Sequence, residues 1–124
     1  MKRLVLLGIL AGLTACGVVP VSRTVPLNVV AVDIPALLAP GADLSVTVKY
    51  SLGCNDKDQR LLLVKRTASI LSLEASATNN GLQVACPAVY AEQTLTYVDS
   101  GAVGRTNPFE VVVNGKSWGK VEVK

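Results

Sequence analysis

From Leu44 onward the chain alternates apolar and polar side chains with a two-residue period: Leu44, Val46, Val48, Tyr50, Leu52 and Cys54 share one parity, while Asp43, Ser45, Thr47 and Lys49 take the other. An extended backbone sends successive side chains to opposite faces, so this run reads as a half-buried strand with Cys54 directed toward the core. From Leu27 to the end no segment carries the 3.6-residue period of an amphipathic helix, and β-branched residues dominate. The chain is therefore expected to be all-β.

Further strands are expected over 28–32, 60–66, 69–78, 82–86, 92–98, 108–113 and 117–123. Turn formers fall between them: Pro40-Gly41, Asn55-Asp56, Asn79-Asn80-Gly81, Pro87, Asp99-Ser100-Gly101 with Gly104, and Asn114-Gly115. Seven to eight short strands at regular spacing, with Leu82, Val84 and Cys86 again on one parity, point to an antiparallel two-sheet sandwich. Residues 27–124 form that single domain.

The last hairpin poses a parity problem. Phe109, Val111 and Val113 form one face that Val121 and Val123 should join, yet a two-residue Asn114-Gly115 loop alone places Trp118, Lys120 and Glu122 there. A three-residue loop with Gly115 left-handed, or a bulge at Gly119, restores the apolar face and directs Trp118 away from the main core. Trp118 then either folds back over Lys120 or a sheet face, or serves as a contact for a partner.

The amino-terminal segment has a different character. Lys2 and Arg3 precede an apolar stretch from Leu4 to Leu13, too short to span a bilayer, and Leu13-Thr14-Ala15-Cys16 places small residues before a cysteine. This block resembles the lipobox of bacterial lipoproteins. The resemblance implies that residues 1–15 are a signal peptide, that Cys16 carries fatty acyl chains such as palmitate, and that the protein is anchored to a membrane in the cell envelope. Gly17 in place of an aspartate favours the outer membrane if the cell has one. Residues 16–26, with two prolines and no helical period, would be the lipidated cysteine and an extended tether.

Without its leader the chain would keep ten of its twelve basic side chains against nine acidic ones, scattered singly apart from Lys65-Arg66. That balance argues against a nucleic-acid partner. Lys65-Arg66 reads as a solvated strand end, with acidic head groups or polysaccharide as the alternative. With Cys16 assigned to lipid, Cys54 and Cys86 remain, and an oxidising compartment favours a disulfide between them over two separate buried thiols.

Beyond Tyr50 the chain resembles a diffuse group of secreted bacterial immunoglobulin-like domains. The likeness rests on Tyr50-Ser-Leu-Gly-Cys54, a middle run from Thr67 to Leu73, Ala85-Cys86, and Phe109-Glu-Val-Val-Val-Asn-Gly115 followed by a final strand. It implies an immunoglobulin-like sandwich and carries over no catalytic or ligand residue.

Composition narrows the chemistry. The chain contains no histidine, which removes Ser-His-Asp and Cys-His hydrolases. Cysteine spacing excludes a Cys-x-x-Cys redox pair, and Gly101-Ala-Val-Gly104 lacks the lysine and helix of a phosphate loop. Asn55-Asp56-Lys57-Asp58 is the one cluster of oxygen ligands, and a solvated turn explains it better than calcium. No catalytic residue, metal or cofactor is assigned. The expected function is that of a non-enzymatic envelope lipoprotein, a binding or structural module for a protein or glycan. The alternative is a protease inhibitor or periplasmic chaperone-like module acting through an edge strand or end loops, of which residues 100–107 are the one to test.

Overall fold

A computed structural model describes residues 22–81 and 91–124 of the protein. Nine strands are present among them: β1 (Arg23–Pro26), β2 (Asn28–Asp33), β3 (Leu37–Leu38), β4 (Leu44–Ser51), β5 (Asp56–Arg66), β6 (Ile70–Asn79), β7 (Glu92–Asp99), β8 (Phe109–Val113) and β9 (Lys116–Val123). They form a two-sheet β-sandwich. One sheet runs β1-β6-β8-β9-β3 with β5 also paired to β6, and the other runs β2-β4-β7.

Strand β6 organises the larger sheet. Along one edge it pairs with β5, while its other edge is shared by two short strands: β1 antiparallel along Ser76 to Asn79, and β8 parallel along Ile70 to Leu73. The gap between them is closed by side-chain and crossover bonds. Leu27 donates its N–H to the Ala75 carbonyl at 2.9 Å as the chain passes from β1 in one sheet to β2 in the other. Asn114 accepts the Ala75 N–H through Oδ1 at 2.8 Å and donates Nδ2 to the Ala75 carbonyl at 3.1 Å.

The core follows the sequence periods. Leu44, Val46, Val48 and Tyr50 of β4 face Leu71, Leu73, Ala75 and Ala77 of β6, together with Phe109, Val111, Val113, Val121 and Val123, and all are buried. Each large apolar side chain removed from water contributes roughly 1.5–3 kcal/mol before the cost of ordering it.

Four sequence expectations change. The sandwich is not wholly antiparallel, because β6–β8 and β3–β9 are parallel ladders. Strand β1 falls within residues assigned to the tether: it is extended, as expected, but Arg23–Pro26 is paired with β6 in the larger sheet. Strand β4 ends at Ser51, so Cys54 lies exposed in the turn before β5 and not toward the core, since strand parity stops where pairing stops. The last hairpin does use a two-residue turn, with Val113 opposite Lys116 and positive φ at Asn114 (53°) and Gly115 (77°). The bulge restores the parity: Val111 pairs with Gly119 and Val112 with Ser117, leaving Trp118 as the extra residue.

Candidate functional site

Strand register defines two ends of the sandwich. At one end Arg23 pairs with Asn79, Asp56 also pairs with Asn79, and Leu52 donates to the Ala91 carbonyl. At the other, Leu44 pairs with Asp99, Arg66 with Leu71, and Phe109 follows residues 100–108. Ten residues of β6 separate the ends, about 30 Å at the usual strand rise.

The second end is built around Asp99. Its carboxylate accepts Arg66 Nε on Oδ1 at 2.9 Å and Arg66 Nη2 on Oδ2 at 3.0 Å, while Arg105 reaches Oδ2 through Nη2 at 2.8 Å and Nε at 3.1 Å. These three side chains retain only 2% to 10% of their exposure. Both guanidiniums lie over the buried Phe109 ring, with Arg66 Cζ 4.7 Å and Arg105 Cζ 5.6 Å from its centre. Burial pushes the Asp99 carboxyl up, but the hydrogen bonds and charges of Arg66 and Arg105 outweigh it and hold the group below its ordinary value.

The remaining guanidinium donors tie the 100–108 loop down. Arg105 donates Nη1 to the Ala42 carbonyl at 2.6 Å, and Arg66 donates to the carbonyls of Thr67, Val103 and Gly104. The Gly101 N–H reaches Asp43 Oδ1 at 2.9 Å, and the Thr106 N–H reaches the Ala68 carbonyl at 2.7 Å. Gly101 is required by close approach, since a Cβ there would collide with the Gly41 carbonyl oxygen. The result is a loop bonded to its neighbours on both sides, carrying Val103 with 52% of its surface exposed. Because both arginines spend their donors inward, the end presents Val103, Ala102, Pro108 and the exposed Ser100, Thr67, Ser69 and Thr106 in place of a cationic patch.

Of the expected site residues, Trp118 and Cys54 are among the described ones, and neither belongs to this end. Trp118 lies at the bulge, toward the hairpin, while Phe109 at the loop end pairs with Val121. It is half-buried and packs against the core, as the folded-back alternative expects, and is not directed away from it; Lys116, in place of Lys120, sets its Nζ 4.2 Å over the ring. Its Nε1 is buried and has no hydrogen-bond partner among the described residues. Cys54 accepts Asn79 Nδ2 on its carbonyl at 3.2 Å, and its sulfur is not a free thiol. Cys16, Cys86 and the strand expected over 82–86 lie outside the described residues.

Two other sequence features change meaning. Lys65-Arg66 is split by a solvated Lys65 and an Arg66 that is the larger sheet's contribution to the Asp99 cluster, a role that charge pattern alone does not signal. Asn55-Asp56-Lys57-Asp58 is the turn entering β5, with positive φ at Asn55 and Asp58 and Asp56 Oδ1 accepting Asn79 Nδ2 at 2.9 Å. Among the described residues no three His, Cys, Asp or Glu side chains gather as a metal site. Among the described residues, an open cleft of about 410 Å³ is lined by Asp33, Ile34, Pro35, Asp43, Ser45 and Thr47. Compared with protein-family models, with curated proteins and with solved structures, the chain gives no match.

Proposed function

We propose that the protein is a non-enzymatic lipoprotein of the cell envelope, moored through Cys16, whose sandwich engages a protein or glycan partner through the 100–108 loop. The observation that carries this reading is placement. The chain enters β1 at Arg23, beside Asn79, whereas the clasped loop lies about 30 Å away at the opposite end. A lipid on Cys16 would therefore hold the loop away from the bilayer, facing the compartment. A disulfide between Cys54 and Cys86 belongs to the same proposal, since Cys54 lies exposed at the tether end, where residues 81 and 91 flank the span holding Cys86. Outer-membrane residence is favoured by Gly17 on the lipobox resemblance.

Pre-ordering a loop reduces the entropy lost on binding, and the clasp does this with Val103 at its tip. That arrangement also supports the protease-inhibitor alternative, which a panel of secreted proteases assayed with excess protein tests directly. The main test combines anchoring and contact. Cys16→Ala should move the protein from the membrane fraction to the soluble one, and a photo-crosslinker at Val103 should label a defined partner in the envelope while one at Thr94 does not. Membrane retention of Cys16→Ala would reject the anchor, and equal labelling from both positions would reject the loop.

A further inference from the structure

Strand β5 carries Leu61, Leu62, Leu63 and Val64 in succession, a pattern usual for a strand buried on both faces. Its register places Leu61 and Leu63 opposite Ala75 and Leu73 on the inner face, and Leu62 opposite Glu74 on the outer face. Leu62, Leu63 and Val64 nevertheless remain 48%, 49% and 61% exposed. Among the described residues, β7 of the smaller sheet meets β5 where Arg66 bonds Asp99. Among the described residues β5 pairs with β6 alone, so its outer edge presents unpaired backbone groups beside apolar side chains.

We infer that this edge is a second interaction surface, which takes a short extended peptide with apolar side chains and flanking carboxylates as an added strand. Length comes from the register. Breaks between Lys57 and Arg60 and between Leu63 and Lys65 bracket a regular interval from Arg60 to Leu63, so the occupant is only about four to six residues long. Charge selects its chemistry. From Arg60 to Arg66 the strand carries three cations and no carboxylate; Arg66 is neutralised by Asp99, whereas Arg60, bonded only to the hydroxyls of Thr78 and Thr24, keeps its charge and with the exposed Lys65 flanks the apolar run. A second copy fits poorly. The antiparallel register that lays Leu61 to Val64 on themselves sets Arg60 opposite Lys65, and like charges directly opposite destabilise a strand pair. A pairing this short also buries far less than the roughly 1,200 Å² of a stable dimer.

The test uses two labelled peptides, Glu-Val-Thr-Val-Thr-Glu and its counterpart with lysine at both ends, titrated against the full chain by fluorescence anisotropy at low and high salt. The glutamate-ended peptide should bind about tenfold or more tightly than the lysine-ended one, with the difference shrinking as salt rises. Binding should slow amide exchange at residues 60–64. Leu63→Lys should abolish it, and Lys65→Glu, which alters only an exposed side chain, should weaken the preference. Failure of both peptides to bind at roughly 1 mM, or equal binding of the two, would overturn the inference. So would a wild-type dimer that Leu63→Lys converts to monomer, because the edge would then belong to a second copy.

Discussion

Asp99 shows how much a single residue depends on its surroundings. A buried carboxylate with two guanidiniums is stable only because both of its oxygens are bonded and the arginines also satisfy loop carbonyls. Removing Arg66 would strip Asp99 Oδ1 of its Arg66 bond while Arg105 still balances the charge, at a cost of about 1–3 kcal/mol. The pH dependence follows from the direction of the Asp99 shift. Its folded value lies below the ordinary 3.8, so its stabilisation is fully present above that pH and is lost as pH falls through the lower, folded value. The free energy of unfolding of wild type minus that of Asp99→Asn, measured in urea, should stay constant from neutral pH down to about 4 and shrink below it. A difference that did not change down to about pH 2 would refute the ionic clasp.

At the scale of elements, the β8–β9 hairpin does more than reverse the chain. Its turn residue Asn114 adopts a left-handed conformation suited to the two-residue turn, and from there its amide fills the gap that β1 and β8 leave along β6. Asn114→Gly keeps the backbone conformation but leaves the Ala75 N–H without its acceptor. It should cost about 1–3 kcal/mol in urea unfolding and speed amide exchange at Ala75. Unchanged stability and exchange would mean that water replaces the amide fully. The bulge opposite Val111 and Val112 does the hairpin's other work, turning Trp118 onto the core while returning Val121 and Val123 to the apolar face.

For the whole molecule, the two sandwich ends have opposite characters. The loop end is held by ionic and hydrogen bonds among buried groups, whereas the end that receives the amino-terminal segment is a set of turns around Cys54, Asp56 and Asn79. The proposed cross-link from Cys54 to Cys86 would close a loop of about thirty residues, which the chain-entropy account values at roughly 3–4 kcal/mol. Reduction under native conditions, or Cys54→Ser, should then lower Tm by roughly 10–20 °C in calorimetry. A Tm indifferent to reductant would dismiss that pairing.

Much of the architecture was legible before any coordinates. Seven of the nine strands begin and end within four residues of the runs that alternation and turn formers mark, because a two-residue period is local and needs only a buried face to become a strand. The glycine-rich 100–107 segment was also recognisable as a loop. Tertiary structure decided what remained. It set the parallel pairing of β8 on β6, the short strands β1 and β3, the exposure of Cys54, and the choice of a bulge for the last hairpin. It alone made Arg66 a member of a buried cluster, since Arg66, Asp99 and Arg105 meet only when separate strands and a loop converge on Phe109. Sequence period specifies which face a side chain takes; which distant partner waits on that face is settled only by packing.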